Sequence, residues 1–246
     1  MDFYGDYHIH SVFSHGKSTI EENAHVANNM GFKQIAITDH GFAHFAFGLT
    51  DKKVTEMQKE MEFLRKEHFI DILFGIESNL IGRKGIIDIK DDCYSIFDIV
   101  LCNFHLFSAA AGMIDFLFFY LPNLMLTPIF KRIPKCIKRM NTKALIRAII
   151  NKKIDVVTHI NNAFLVDTYE VAKACADYGT YIELSGKKIN FTDEQFYDMA
   201  KTGVKFILNS DAHKTSNIGN FNKALSLIER INYPIEKIVN YKKAPL

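Results

Sequence analysis

Asp6-Tyr7-His8-Ile9-His10 is the stretch on which the interpretation of this chain depends, and His15 follows it closely. Successive side chains of a β-strand point to opposite faces, so we expect His8 and His10 on one face and Ile9 in the packing on the other. Two imidazoles on one face form half of a metal site. Because two histidines in a short run are often only exposed polar residues, the interpretation depends on the rest of the chain.

Short apolar runs recur along the chain, and each leads into a residue that can bind a metal. Their unbroken apolar character is typical of parallel strands buried on both faces. The further predicted strands are 34–38 before Asp39 and His40, 72–76 ending on Glu77, 99–102 before His105, 156–158 before His159, 181–184 around Glu183, and 206–208 before Asp211 and His213. Residues able to bind a metal therefore lie at the carboxyl ends of most predicted strands.

Helices are predicted between these strands from capping signals and from apolar residues three and four apart. Thr19 and Glu22 have the spacing of a capping box, and the helix that they begin would end at Gly31. The other predicted helices are 51–68 with Val54, Met57, Met61 and Leu64 on its packed face, 165–178 ending at Gly179, one between the capping box of Thr192 and Gln195 and Gly203, and 221–231.

Alternation of strands and helices predicts an α/β protein built from parallel βα units with helices outside the sheet. Seven strands favour a distorted seven-stranded (β/α)7 barrel whose site lies at the carboxyl ends of the strands. A doubly wound open sheet is the alternative, but it would spread the metal-binding residues along a line. We expect one domain over residues 1–246.

Composition and cysteine spacing limit the classes of partner, cellular compartment and metal ligand that we expect for this chain. The chain has 246 residues, 48% of them apolar, and 30 basic against 28 acidic residues give a net charge of +2, which calls for no nucleic-acid partner. The amino terminus lacks the features of a signal peptide, so we expect a cytoplasmic protein. We expect Cys93, Cys102, Cys136 and Cys175 to be reduced thiols without a cysteine zinc motif, which leaves nitrogen and oxygen as metal ligands.

An apolar insertion at about 106–140 interrupts this pattern, and within 106–130 Asp115 is the one formally charged residue. Its length allows a membrane span, but Pro122 and Pro128 interrupt it. We rank a packed helical excursion over the barrel mouth or at a subunit interface first, a membrane-surface patch second and a span last. The basic run that follows is compatible with association with a membrane surface. An apolar insertion is also a natural contact in a homo-oligomer. That run comprises Lys131, Arg132, Lys135, Lys138 and Arg139.

Nine candidate metal ligands result from this reading. They are His8, His10, His15, His40, Glu77, His105, His159, Asp211 and His213. One zinc ion takes about four ligands, so the set predicts two to three divalent ions, with Zn favoured and Mn or Fe as alternatives. A single member could be a helix cap or a hydrogen-bonded loop residue. His25, His44 and His68 follow no predicted strand and are left out.

The same residues resemble the PHP family, the polymerase and histidinol phosphatase superfamily. The matching motifs are His8-Ile9-His10, Ser14-His15, Thr38-Asp39-His40-Gly41, Gly75-Ile76-Glu77, His105, Thr158-His159 and Ser210-Asp211-Ala212-His213. They extend over most of the chain, to about residue 220. The chain most resembles the small stand-alone bacterial phosphoesterases of that family, which have a distorted seven-stranded barrel and three metal ions.

This resemblance implies a grouping of the nine ligands. His8, His10, Glu77 and Asp211 would hold one ion, Glu77 would bridge to a second held by His105 and His159, and His15, His40 and His213 would hold the third. The chain departs from the family pattern at Asn161, where many members have proline, in its apolar insertion and in its short tail after Ile238.

The implied activity is a metal-dependent phosphatase that hydrolyses a small phosphorylated metabolite through a metal-activated hydroxide. Glu77, Asp211 and Asp39 are the predicted catalytic carboxylates, although Asp39 and Glu183 could instead orient imidazoles or cap turns. Loop cations that could hold phosphate are Lys17, Arg83, Lys84, Lys187 and Lys214. Alternatives are a histidinol-phosphate phosphatase, a nuclease or proofreading module, and a non-catalytic metal-binding scaffold. A serine or cysteine nucleophile lacks its motif.

Overall fold

A computed structural model describes residues 2–67, 70–130 and 133–245 of the chain. Eight strands form one sheet, and seven of them are parallel neighbours in chain order. The strands are β1 (Gly5–Ile9), β2 (Gln34–Ile37), β3 (Asp71–Gly82), β4 (Ile86–Ile87), β5 (Ile99–Asn103), β6 (Val156–Val157), β7 (Tyr181–Ser185) and β8 (Phe206–Asn209). The short β4 pairs antiparallel with the end of β3 and lies outside the parallel series.

The parallel strands close into a nearly complete barrel between β8 and β1. Ile9 and Ala212 form an isolated parallel bridge, in which the His10 amide donates to the Ala212 carbonyl oxygen over 2.8 Å. Asn240 closes the other end of the seam with its buried amide, which donates to the carbonyl oxygens of Gly5 and Leu208 and accepts from the Leu208 amide. The predicted distorted seven-stranded (β/α)7 barrel is therefore confirmed, and the open sheet is excluded.

Helices follow most of the strands on the outside of the barrel. They are α1 (Ile20–Asn29), α2 (Asp51–Arg65), α3 (Met113–Asp115), a π-helical turn (Phe116–Tyr120), α4 (Leu121–Phe130), α5 (Lys135–Asn151), α6 (Thr168–Tyr178), α7 (Asp193–Lys201) and α8 (Asn222–Arg230). Short 3-10 helices occupy Asp91–Ile96, Thr215–Asn217 and Ile235–Lys237. Both predicted capping boxes are present, at Thr19 with Glu22 and at Thr192 with Gln195.

Four features of the fold differ from the sequence prediction. β3 continues past Glu77 to Gly82, because the chain turns back after Gly82 and β4 pairs antiparallel with the end of β3. α6 begins at Thr168 because the Asp167 side chain accepts a hydrogen bond from the Glu170 amide and caps the helix. α5 was not predicted, and α2 ends at Arg65. The predicted end of α2 at His68, and Lys131 and Arg132 of the basic run, lie outside the described residues.

Two apolar clusters follow from the alternation of side chains along the strands. On β5, Ile99 and Leu101 belong to a small cluster built from strand residues and the carboxyl-terminal segment, which fills the barrel interior. Val100 and Cys102 belong to the large cluster that the helices share, and so lie outside the strands. This alternation places Glu77, Asn103 and Glu183 on the interior faces of their strands, directly above the small cluster.

The apolar insertion forms α3, the π-helical turn and α4, and it packs beside the barrel. Phe119 and Tyr120 are buried against Phe104, with ring centroids 5.7 and 5.5 Å from its ring. None of the helices in the described ranges combines the length and apolarity that crossing a bilayer requires. Cys102 and Cys175 are buried, Cys136 is exposed, and all three are free thiols.

Replacing Asn240 with alanine should lower the free energy of unfolding by about 2–4 kcal/mol, because it leaves buried backbone groups of β1 and β8 without partners. Chemical denaturation measures this change. Asn29, exposed near the end of α1, is a matched control whose replacement with alanine should change stability by less than about 0.5 kcal/mol. Equal losses in the two variants would contradict a role for Asn240 in closing the barrel.

Candidate metal centre

A pocket of about 250 Å³ opens at the carboxyl ends of the parallel strands. Seven of the nine predicted ligands line it, and His8 and His10 lie beneath them, fully buried. The seven are His15, His40, Glu77, His105, His159, Asp211 and His213. Closure of the barrel therefore brings residues from distant parts of the chain to one place.

Glu77 is the centre of this cluster, and five imidazoles surround its buried carboxylate. His159 Nε2 lies 2.8 Å from Oε1, and His8 Nε2 and His105 Nε2 each lie 3.3 Å from the same oxygen. His40 Nδ1 lies 3.1 Å and His10 Nε2 lies 3.6 Å from Oε2. Both carboxylate oxygens can therefore take part in bridging.

The donor atoms of His8, His10 and Asp211 have the spacing of ligands around a small ion. The two Nε2 atoms of the histidines are 3.2 Å apart, and Asp211 Oδ1 lies 3.8 and 3.5 Å from them. A tetrahedral ion with bonds of about 2.0 Å separates its ligands by roughly 3.3 Å. His40 Nδ1 is buried, and although it lies 3.1 Å from Glu77 Oε2 it makes no well-aligned hydrogen bond in the described structure, so its lone pair could bind an ion. The donor set fits divalent ions.

Four groups of three residues have ligand atoms that all lie within 4.8 Å of one another. They are His8, His10 and Asp211; His8, Glu77 and His159; His40, Glu77 and His105; and His10, His40 and His213. The first agrees with the grouping implied by the family resemblance. His105 and His159 approach Glu77 in separate groups, and His15 belongs to none of those found among the described residues, although its ring lies 4.4 Å from that of His213.

Glu183 holds two of the candidate ligands in place. Its Oε1 lies 2.7 Å from His8 Nδ1, and its Oε2 accepts a 2.8 Å hydrogen bond from the His159 amide. A carboxylate on one ring nitrogen directs the other nitrogen to a metal and raises its basicity. Of the two roles considered for Glu183, the geometry agrees with orientation of an imidazole.

His105 is positioned by residues that the sequence analysis missed. Asn79 Oδ1 lies 2.7 Å from His105 Nδ1, and the buried Asp88 carboxylate accepts hydrogen bonds from the Asn79 amide and side chain. Asn79 shares a strand face with Glu77 two residues earlier, so period-two spacing was the available signal. Ending the strand at Glu77 concealed it.

Asp39, predicted as catalytic, is fully buried and fastens the loop after β1. It accepts hydrogen bonds from the Ser11 amide over 2.7 Å and from the hydroxyls of Ser11 and Ser14. Its Oδ1 lies 4.0 Å from His10 Nδ1, and it does not line the pocket. This placement supports positioning of the loop that carries His15.

Burial and neighbouring charges set the protonation of the cluster. Burial alone would lower the pKa of His8, but the carboxylates of Glu77 and Glu183 raise it well above its usual value. Burial and the nearby His40 hold the pKa of His10 well below its usual value. Burial would raise the pKa of Glu77, but His105 and His8 hold it well below the usual range. Without bound metal the cluster therefore combines an ionised Glu77 carboxylate with a neutral His10 and with a His8 that favours its protonated form. Binding of an ion would require His8 to lose that proton.

His44, which the sequence analysis left out, also lines the pocket. Its ring stacks on that of His40 with centroids 4.7 Å apart, and its Nδ1 accepts a hydrogen bond from the Phe47 amide over 3.2 Å. The proton of the neutral ring therefore lies on Nε2. Burial and the nearby His40 lower the pKa of His44 to about 4. Its position in the loop after β2 gave no strand-end signal.

Lys187 is the one predicted phosphate-holding cation that lines this pocket in the described structure, and its Nζ lies 3.0 Å from Asp211 Oδ2. Lys17 and Lys214 are exposed outside the pocket lining. Arg83 pairs with Asp115 at 3.4 Å, and Lys84 lines a different cavity. Leu106 and Phe107 are the part of the apolar insertion that reaches the pocket wall.

The fold and the cluster define a (β/α)7-barrel protein with a site that could hold metal ions at the carboxyl ends of its strands. The PHP domain family model matches residues 6–189, and the chain belongs to this family.

Known relatives extend this similarity over the whole chain. A Shewanella sp. (strain MR-4) protein named probable phosphatase is 31% identical over 98% of this chain and 88% of its own length. A probable phosphatase of Proteus mirabilis is 29% identical over 96% of this chain and 89% of its own. The histidinol phosphate phosphatase of Lactococcus lactis, solved with zinc, L-histidinol and phosphate, has a TM-score of 0.60 at 16% identity over 93% of this chain and 94% of that one. That structural similarity concerns the fold.

Replacing Glu183 with glutamine should lower zinc affinity by about 10–100-fold, because an amide nitrogen would face either the His8 ring or the His159 amide. Competition with a zinc-binding dye measures the affinity. Glu194 is exposed in the first turn of α7, and its replacement with glutamine is the matched control. Unchanged zinc affinity in the Glu183 variant would refute its positioning role.

Proposed function

We propose that this chain is a metal-dependent phosphatase that hydrolyses a small phosphorylated metabolite at the histidine and carboxylate cluster, with two or three divalent ions bound there. Membership of the PHP family and the relatives named as phosphatases support the reaction class. The Lactococcus lactis relative, whose name specifies histidinol phosphate and whose structure holds zinc, makes zinc the first ion to test.

The observation that carries the proposal is the convergence of imidazole nitrogens on both oxygens of one buried carboxylate. His8, His105 and His159 approach Oε1 of Glu77. His10 and His40 approach Oε2. A carboxylate with donors around both oxygens can bridge two ions. A buried ion pair that served only stability would need a single imidazole beside the carboxylate. Bound divalent ions would lower the pKa of coordinated water and neutralise charge that develops on the phosphoryl oxygens.

The protein groups around the pocket supply binding and orientation. Lys187 can contact a phosphoryl oxygen from the pocket wall, where it already faces Asp211. Neutral His44, with its proton on Nε2, is a further hydrogen-bond donor in the lining. Phe104, Leu106 and Phe107 form an apolar wall that can contact the leaving group.

The size of the pocket favours compact substrates. A volume of about 250 Å³ is below the roughly 300–1,000 Å³ of typical drug-sized sites. Of a nucleic-acid chain, only a terminal nucleotide could enter a pocket of this size. A panel of sugar phosphates, amino-alcohol phosphates including histidinol phosphate, and nucleotides would identify the substrate class.

Replacing Glu77 with glutamine or His159 with alanine should reduce hydrolysis of an aryl phosphate to background, because each change removes a donor from the centre of the cluster. Chelation of the wild-type protein should have the same effect, and added zinc or manganese should reverse it. Phosphate release and elemental analysis of bound metal measure these outcomes.

Circular dichroism keeps this experiment interpretable, since both variants should retain the helical spectrum of the barrel. The exposed Glu194→Gln variant should keep full activity and metal content. Full activity in both cluster variants, or hydrolysis that chelators leave unchanged, would refute the proposed mechanism.

Replacing Lys187 with glutamine should lower kcat/KM by about 10–100-fold, since a hydrogen bond to a charged group contributes about 1.5–3 kcal/mol. Steady-state kinetics with an aryl phosphate measure it, and arginine should restore part of the loss. Lys188 is the exposed neighbour, and Lys188→Gln is the control. Equal effects at both positions would indicate a nonspecific charge effect.

A further inference from the structure

The helical insertion presents a large apolar face to solvent. Phe118 is 58% exposed and Met113 is 72% exposed, whereas such side chains are usually buried. The exposed apolar residues on this face include Met113, Ile114, Leu117, Phe118, Leu124 and Met125. Their spacing of mostly three and four residues places them on one side of the helical segment, and an exposed apolar face of this kind marks an interaction surface.

The opposite side of the same helices is fixed to the barrel, so the exposed face has a defined orientation. Phe119 is fully buried against Phe104 and Phe164. Asn123 and Asn141 exchange two side-chain hydrogen bonds of 2.9 and 2.7 Å in the buried contact between α4 and α5. The apolar face is therefore directed outward by packing on the other side.

α5 carries a stripe of four cations at intervals of four residues, formed by Lys135, Arg139, Lys143 and Arg147. Residues four apart on a helix lie about 6 Å apart along its axis on the same face, where like charges destabilise the helix. Among the side chains that the structure describes, none of the four forms an ion pair with a carboxylate, whereas the neighbouring Lys138 pairs with Asp167. An unneutralised stripe of this kind calls for an anionic partner.

Arg83 joins the apolar face to the cationic stripe. It lines one cleft of about 660 Å³ together with all four cations of α5, and its backbone oxygen accepts a hydrogen bond from Arg147 over 3.0 Å. Its guanidinium also lies 6.0 Å from the centre of the Phe118 ring. The apolar face and the cationic stripe are thus adjacent parts of one surface. The cleft beside them shares no lining residue with the pocket of the candidate metal centre.

We propose that this combined surface docks on a membrane leaflet that contains anionic lipids. Apolar side chains would enter the headgroup boundary while the cations of α5 meet lipid phosphates, the combination by which amphipathic surfaces bind membranes. A free phosphate would leave the apolar face uncovered. A second copy of the chain, joined through the same face, would bring two cationic stripes close together.

Co-sedimentation of the full chain with vesicles tests this proposal. Binding to phosphatidylcholine vesicles containing phosphatidylglycerol should exceed binding to phosphatidylcholine alone, and rising salt should weaken it. The double variants Leu117→Ser with Phe118→Ser and Arg139→Gln with Lys143→Gln should each reduce binding by about tenfold or more. Lys52→Gln with Lys59→Gln removes two exposed charges from α2 and is the matched control.

Hydrolysis of a soluble aryl phosphate without vesicles should be unchanged in every one of these variants. Unchanged hydrolysis would show that the variants fold, and the prediction of vesicle binding could then fail or succeed independently of the proposed phosphatase activity. Equal binding to the two kinds of vesicle, or no binding to either, would overturn the proposal. So would light scattering that finds a dimer dissociated by the Leu117→Ser and Phe118→Ser pair, since the face would then belong to a second copy.

Discussion

The exclusion of water from the Glu77 carboxylate is the constraint on which the rest of the site depends. A buried charge is costly unless it is paired, and here five imidazoles approach within 3.6 Å. Burial lowers the pKa of His159, but its contact with Glu77 outweighs this and raises it, whereas burial keeps the pKa of His105 low. Protons shared with a few histidines balance the charge in the protein alone. Divalent ions would replace those protons, so the same geometry serves both states.

A second layer of buried carboxylates explains how the donors keep their spacing. Asp6 accepts hydrogen bonds from the amides of Ser210 and Gly219, over 3.1 and 2.9 Å, and so fastens the loop that carries Asp211. Asp88 does the same for Asn79, and Glu183 for His159. Each carboxylate takes up backbone donors that the irregular loops leave unpaired. The strands therefore determine the backbone positions of the candidate ligands, and the buried carboxylates determine the orientation of their side chains.

Much of the fold followed from the sequence because its signals are local. Apolar runs, capping boxes and the αL glycine at Gly179 depend on neighbouring residues and were located to within a few positions. The length of β3 was wrong because pairing with β4 is a tertiary event. His44 and Asn79 were missed because their roles arise only when loops from different βα units meet. The roles of the nine candidate ligands stay predictions, although barrel closure brings all nine together.

The backbone at two candidate ligands is strained, and the strained conformation directs both side chains toward the barrel mouth. His159 and Asp211 have φ values of 25° and 54°, in the left-handed region that costs non-glycine residues about 1–3 kcal/mol. Glycine would relieve that cost but would remove the imidazole or carboxylate from the cluster. The hydrogen bond from the His159 amide to Glu183, and that from the Ala212 amide to the His8 carbonyl oxygen, hold the two turns closed. The strained turns direct both side chains into the barrel mouth, so local stability is given up where donor atoms must converge.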